Sequence, residues 1–186
     1  MQTKQLYEYR AWDLPTRLFH LIIFTAVICL IFFGLIMLYK KDRGITSVEA
    51  KIGLKVVHVT FGYVFVTNLV IRIIWGFVGS QTARWRSIIP SRNHMDALRA
   101  YRTSIKQGKP FQYVGHNPLG KIAVTVIFLS LIVMAITGLI RAGTDIYYPP
   151  FGSIFAEYVA QPGVDPDSLV PYDTSAVDKE KYDAMK

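Results

Sequence analysis

The chain has 186 residues, of which 52% are hydrophobic and 18% are charged, with a formal net charge of +8 at pH 7. Its apolar residues form blocks long enough to cross about 30 Å of hydrocarbon as helices, which excludes an ordinary soluble domain. The charge is uneven, since residues 1–141 carry a net charge of +13 and residues 142–186 carry −5. Two sides of a membrane explain this division better than a nucleic-acid-binding face, so we expect a lipid bilayer and no nucleic acid as partner.

The first predicted span covers residues 17–39. Its apolar core is longer than the h-region of a signal peptide, no small-residue cleavage site follows it, and basic residues come next, so we interpret it as a retained helix. His20 lies one turn inside this span. Counted at about 100° per residue, its helical stripe also includes Gly34, near the other end of the span.

The second predicted span, residues 52–79, contains two residues that a bilayer does not accept without a reason. His58 lies near its start and Arg72 near its end, separated by 14 residues, or roughly 21 Å of helix rise. One helical stripe includes both of them, together with Gly62, Phe65, Leu69 and Gly76. Ionisable residues inside a span normally face a protein interior or a cofactor, so we expect this face to be functional.

A long basic loop, residues 80–115, separates the second span from the third, residues 118–140. Between positions 84 and 109 the loop contains seven basic residues and one acidic residue, and its apolar residues recur at helical spacing. This pattern predicts a short amphipathic helix on the membrane surface.

Residues 142–186 form an acidic tail rich in Pro and Tyr, so we divide the chain into a membrane domain, residues 1–141, and this tail.

The distribution of Lys and Arg predicts the orientation. The N-terminal lead-in and the basic loop lie on the same side of the spans, and their excess of positive charge assigns that side to the cytoplasm. The acidic tail then faces outward. In this orientation His20, Arg72 and His116 lie near the cytoplasmic face, and His58 lies near the outer face.

An imidazole at the boundary of a membrane span has three common explanations: a packed histidine, a proton relay, or an axial ligand to haem. His20 and His58 lie on separate spans, each on a stripe that includes glycine, which favours haem. Haem needs an axial nitrogen, a flat space free of side chains and a cation near its propionates. His58 with Gly62 offers the first two, and Gly34, on the His20 stripe but near the outer face, would make room for a macrocycle held at His58. Arg72 offers a cation at the depth of His20, and its alternative role is snorkelling to lipid phosphate.

Five motifs occur in order between about residue 11 and residue 141. They are Trp12-Asp13-Leu14-Pro15-Thr16-Arg17-Leu18-Phe19-His20, His58 with Gly62-Tyr63, Arg72 with Trp75-Gly76, Ala83-Arg84-Trp85, and Gly115-His116-Asn117-Pro118-Leu119-Gly120. In this combination the chain resembles the bacterial cytochrome b561 family, which includes the b-type cytochrome subunits of nickel–iron hydrogenases.

The resemblance implies an all-α, four-helix bundle in the bacterial inner membrane. This bundle holds two b haems and passes electrons between quinone and a redox partner subunit or c-type cytochrome. It implies that His20 and His58 each provide one axial ligand to iron, that Arg72 lies near the inner haem, and that His116 matches a further cofactor-binding position. The sequence shows three spans and lacks the fourth helix with its histidines. We therefore expect that the chain is a fragment, that another chain completes the bundle, or that fewer haems bind.

Two other functions remain open on the sequence. One is a haem-free membrane anchor that holds a peripheral redox partner through the basic loop or the acidic tail. The other is a proton or ion pathway through His58 and Arg72, although few other polar residues line the spans. No glycine-rich phosphate loop, zinc-type Cys/His spacing or nucleophile elbow is visible, so we assign no catalytic residue and expect an electron-carrier subunit rather than a stand-alone enzyme.

Overall fold

The computed structural model describes residues 12–185, and over that range the chain is helical with no strand, which confirms the all-α class. The helices are α1 (Leu14–Leu38), α2 (Val48–Val78), α3 (Trp85–Ile88), α4 (His94–Lys106), α5 (Pro118–Ile146), α6 (Gly152–Val159) and α7 (Lys179–Met185), with a 3₁₀ turn at Pro166–Ser168. Most of the predicted N-terminal lead-in, residues 1–11, lies outside the described residues.

Three of these helices are long and apolar enough to cross a membrane, which confirms an integral membrane protein. They are α1, α2 and α5, with 25, 31 and 29 residues, whereas about 20 residues suffice for a span. Each extends past at least one end of the corresponding apolar block. Hydropathy marks the part of a helix that lies in hydrocarbon, and the backbone hydrogen bonds continue into polar flanking residues.

The described residues form two compact units, and the first contains residues 12–21 and 68–131. In this unit the start of α1 packs against the second half of α2. The Asn68 side-chain amide donates a hydrogen bond of 3.0 Å to the Phe19 carbonyl, and the Trp75 ring meets the Phe19 ring edge-on at 6.3 Å. Gly76 is buried against Trp85, whose ring also packs edge-on against Phe128 of α5 at 4.8 Å. These contacts fix the helix ends that present the candidate site residues.

The amphipathic helix predicted in the basic loop is α4, and it belongs to the first unit. Met95 and Ile105 are exposed on it, and Gly108 follows its end with φ of +70°, a conformation that favours glycine. The Tyr101 hydroxyl accepts a hydrogen bond of 2.9 Å from the Asn117 side chain, just before α5 begins. The loop therefore has an ordered attachment to α5, and its place on the membrane surface stays a prediction.

The second unit contains residues 22–67 and 132–185, and it includes the acidic tail. The tail has its own small core of buried Val159, Val177 and Tyr182. An isolated β-bridge joins Ala160 to Val177, and the Gln161 side chain donates a hydrogen bond of 3.0 Å to the Val177 carbonyl. The segment after α5 is thus a folded part of this unit.

We expect Gly76→Ala to destabilise the protein. A Cβ at this position would lie 2.3 Å from two atoms of the Trp85 ring, and overpacking of this kind costs about 1–3 kcal/mol. The matched control is Gly53→Ala on the same helix, where no neighbouring atom lies within 4 Å and the change should stabilise by up to about 1 kcal/mol. Thermal unfolding in detergent micelles measures both, and equal melting temperatures for the two variants would contradict the packing.

Candidate functional site

His20 is exposed on the first unit, one turn inside α1. Its Nδ1 atom lies 2.8 Å from the Thr16 carbonyl oxygen. Because a carbonyl oxygen can only accept, Nδ1 carries the proton of the neutral ring and Nε2 keeps a free lone pair. A backbone partner of this kind orients the ring and raises its basicity when an imidazole binds metal.

Asp13 fixes the turn that presents the Thr16 carbonyl to His20. Its carboxylate accepts a hydrogen bond of 2.9 Å from the Thr16 backbone N–H and one of 3.3 Å from the Trp75 indole N–H. Burial alone would raise the pKa of Asp13, but interactions with Thr16, Ser80 and Trp75 outweigh it and lower this pKa from the ordinary 3.8 to about 2. Asp13 is therefore ionised at neutral pH and caps α1. The sequence placed Asp13 in a motif without revealing this role.

Arg72 is buried in the first unit, with 8% of its surface exposed. Its Nη2 atom donates a hydrogen bond of 3.2 Å to the Ala83 carbonyl, and its guanidinium lies 5.4 Å from the centre of the Trp85 ring. Its Nη1 atom has no hydrogen-bond partner in the described part of the chain. Arg72 is thus held by a carbonyl and an aromatic ring, and it retains a donor for an anionic group.

His116 lies in the same unit, immediately before the cap of α5. Asn117 caps that helix by accepting a hydrogen bond of 2.7 Å from the Gly120 N–H, and the His116 ring meets the Trp12 ring edge-on at 5.0 Å. The pKa of His116 is lowered first by burial and then by electrostatic interactions with His20, Lys121 and Arg72. The first unit therefore gathers His20, Arg72 and His116 in one electrostatic environment, which favours the neutral form of the His116 imidazole.

His58 lies in the second unit beside a cavity of about 470 Å³. Its Nδ1 atom is buried and has no hydrogen-bond partner among residues 12–185. Leaving a buried polar atom unpaired costs about 1–3 kcal/mol, so this nitrogen is a candidate to bind a ligand. Gly34 stands next to the ring, since a Cβ there would lie 3.7 Å from His58 Cε1. The structure thus places Gly34 beside the His58 imidazole, where the sequence analysis expected it to make room for a macrocycle.

The cavity is apolar and has open glycines on its wall. Gly62 and Gly138 both line it, and neither has a neighbouring atom within 4 Å of where a Cβ would stand. The remaining walls include aliphatic and aromatic side chains of α1, α2 and α5, among them Val27, Leu30, Ile31, Phe65, Val66, Met134 and Leu139. Such a space suits a large, flat, mostly apolar ligand, and its volume lies in the range of about 300–1,000 Å³ that is usual for ligand and cofactor sites.

One part of the cavity wall is charged. Lys55, Arg141 and Asp145 all line it, and the Asp145 carboxylate is ion-paired with both cations. The sequence analysis gave no indication that Lys55 pairs with Asp145. The partner lies 90 positions later in the chain, and no periodicity within a helix could have revealed it.

Side chains alone do not chelate a metal ion here. Over residues 12–185 there is no group of three or more His, Cys, Asp or Glu residues that could hold one. A porphyrin supplies four nitrogens of its own and needs imidazoles only above and below its iron. The buried unpaired nitrogen of His58, the open glycines and the apolar cavity fit that cofactor.

Comparison with known proteins agrees with this chemistry. The family model for prokaryotic cytochrome b561 matches residues 11–168. The relatives include a protein of Rhizobium leguminosarum bv. viciae named "Probable Ni/Fe-hydrogenase B-type cytochrome subunit", which is 28% identical over 171 residues, or 84% of this chain and 70% of that protein. No solved structure matches.

Two further relatives carry nearly the same name. The one from Cupriavidus necator is 29% identical over 150 residues, or 75% of this chain and 59% of its own length. "Probable Ni/Fe-hydrogenase 1 B-type cytochrome subunit" of Escherichia coli (strain K12) is 32% identical over 91 residues, or 46% of this chain and 38% of its own length. The matches thus cover between 38% and 70% of these three relatives.

We expect Asp13→Ala to destabilise the protein by about 1 kcal/mol, because it removes the cap of α1. The contribution of the Asp13 charge is present above the unfolded pKa of 3.8 and is lost as pH falls through the folded value of about 2. The difference in melting temperature between wild type and Asp13→Ala should therefore shrink on acidification. Asp13→Asn is the control, since asparagine caps comparably and does not titrate. Identical melting of wild type and Asp13→Ala at neutral pH would contradict the capping role.

Proposed function

The chain belongs to the prokaryotic cytochrome b561 family, and from this premise we propose that it is a b-type cytochrome subunit of a membrane redox complex. It passes electrons between a redox partner protein and the quinone pool. The observation that best supports this proposal is the buried, unpartnered nitrogen of His58 beside a large apolar cavity.

In the second unit we propose that His58 is an axial ligand of haem b. Gly34, Gly62 and Gly138 leave space beside the ring and along the cavity wall for the flat macrocycle. The apolar wall would place a bound iron in surroundings of low dielectric constant, which is one of the means by which a protein tunes a haem potential. Bound haem supplies one-electron chemistry, since its iron alternates between the ferric and ferrous states.

In the first unit we propose His20 as an axial ligand of a second haem b. The hydrogen bond from Nδ1 to the Thr16 carbonyl orients the ring and leaves Nε2 available to iron. Arg72 offers the unpartnered Nη1 atom to a propionate, and His116 is a further cofactor-binding candidate in the same environment. The remaining ligand of each haem would come from the fourth helix that the family resemblance implies.

The partner and the location are parts of the same proposal. The relatives' names call them subunits of Ni/Fe hydrogenase, and we propose a redox partner subunit or a c-type cytochrome for this chain. We place it in the bacterial inner membrane, with the basic loop in the cytoplasm and residues 142–186 in the periplasm. The positive charge of residues 1–141 and the negative charge of the tail support that orientation.

We expect the reduced-minus-oxidised spectrum of the complex to show b-type haem. His58→Ala and His20→Ala should each remove part of that signal, because each deletes one axial ligand. His94→Ala is the matched control, since this buried histidine lies on α4 and lines neither the cavity nor the His20 site. Spectra with haem quantified per chain measure the outcome.

The spectroscopic result also separates this proposal from a haem-free anchor. An anchor predicts that His58→Ala and His20→Ala leave both the spectrum and the assembly of the complex unchanged. A wild-type complex with no b-type signal attributable to this chain would refute the cytochrome proposal.

A further inference from the structure

We propose that α4 and the segment after it, residues 107–117, form a binding surface for the phosphate groups of anionic phospholipids. The sequence predicted only that a short helix lies on the membrane. The structure adds which side chains of that helix are exposed and how the helix is attached to a spanning helix, all within the first unit. Binding of lipid here is a property beyond the proposed electron transfer, and it needs no cofactor.

One exposed face of α4 combines apolar and cationic side chains. Counted at about 100° per residue, its members fall within about 120° of the helix surface. They are Met95, Arg99, Arg102, Ile105 and Lys106, and all five are exposed. Apolar groups interspersed with Lys and Arg are typical of helices that lie at the boundary between headgroups and acyl chains. There the apolar groups contact acyl chains, and the long cationic side chains reach the phosphates.

Two of the three cations on this face have no carboxylate partner. Arg99 forms an ion pair of 3.6 Å with Asp96 of its own helix. Arg102 and Lys106, in contrast, form no ion pair with any residue in the range 12–185. They are four residues apart, a spacing that brings two Cβ atoms to about 5–6 Å on a helix surface. One phosphodiester group can therefore contact both, and a guanidinium can bind it through two parallel hydrogen bonds.

The segment after α4 is held against the helix. The Phe111 backbone N–H donates a hydrogen bond of 3.3 Å to Ser104 Oγ, and the Tyr113 ring meets the Tyr101 ring edge-on at 5.6 Å. Phe111, Tyr113 and Val114 are nevertheless exposed. Aromatic side chains concentrate at the membrane interface, so this segment extends the apolar part of the surface.

The attachment to α5 fixes this surface at a membrane boundary. The Asn117 side chain donates its hydrogen bond to the Tyr101 hydroxyl, and its oxygen caps the first turn of α5 by accepting from the Gly120 N–H. α5 is one of the helices long and apolar enough to span a bilayer. The surface is therefore held at the end of a spanning helix, where lipid headgroups are within reach.

A lipid leaflet fits this surface better than an acidic protein does. The cations share one exposed face with Met95 and Ile105, and a leaflet offers phosphate and acyl chain together at that depth. An anionic leaflet also attracts basic segments, with a gain in binding of about fivefold for each Lys or Arg near the surface. This attraction is weakened by salt, because mobile ions screen it.

The test places the full-length chain in nanodiscs of phosphatidylcholine with increasing fractions of phosphatidylglycerol. A fluorescent label at Met95→Cys reports depth through quenching by phosphatidylcholine that is brominated in its acyl chains. The lone Cys29 is replaced by serine so that only position 95 is labelled. Quenching should rise with the phosphatidylglycerol fraction, and high salt should reverse this rise. Ile105→Ser should lower quenching at every composition, because it removes an apolar contact with the leaflet.

Charge variants test the role of the two unpaired cations. Arg102→Gln combined with Lys106→Gln should raise the phosphatidylglycerol fraction needed for half-maximal quenching several-fold, and Arg102→Lys should retain most of the wild-type response. Lys41→Gln combined with Arg43→Gln is the matched control. It removes the same charge from exposed residues in the connection between α1 and α2, so it should leave the quenching curve unchanged. Helical circular dichroism equal to wild type verifies the fold of each variant.

Three results would overturn the proposal. Equal quenching with and without phosphatidylglycerol would mean apolar contact without lipid selectivity. Equal shifts in the two double variants would reduce the effect to overall charge. A label that no lipid quenches, and that a redox partner protein shields instead, would assign the surface to that protein. None of these results involves the haem spectrum, so the proposed cytochrome function is tested separately.

Discussion

The structure depends on the high cost of leaving a polar group unpaired within a membrane-spanning segment. Apolar helices can cross a bilayer freely, but each imidazole or guanidinium placed in them must find a partner. Arg72 meets this demand only in part, with a backbone carbonyl and the Trp85 ring but no partner for Nη1 among the described residues, and Lys55 meets it with Asp145. The Nδ1 atom of His58 does not meet it within the described residues, and a ligand at that point would resolve the imbalance.

The two candidate histidines are prepared for a ligand by different means. His20 is oriented by the carbonyl of its own helix, and the cap at Asp13 holds that carbonyl in place. His58 stands beside a preformed apolar space bordered by glycines. The first arrangement controls which nitrogen is available, while the second controls how much room the ligand has. Each arrangement is complete within one compact unit of the protein.

The sequence predicted the long helices well, because an uninterrupted apolar block can satisfy its backbone in lipid only as a helix. It also singled out His20, His58 and Arg72, because they are polar side chains within apolar spans. It further predicted that Gly34 makes room for a cofactor at His58. It did not predict the fold of the tail, whose core joins Val159, Val177 and Tyr182 from separate turns and short helices. Nor did it reveal the cluster at Lys55. Contacts between residues that are far apart in the sequence produce no periodic sequence pattern, so only the folded structure shows them.

The folded tail has a consequence for biogenesis. Its residues emerge from the ribosome after α1, α2 and α5, yet they supply the aromatic groups that lie over Lys55 and beside Asp145. Lys55 and Asp145 therefore acquire these aromatic neighbours only after the tail has been synthesised and has folded.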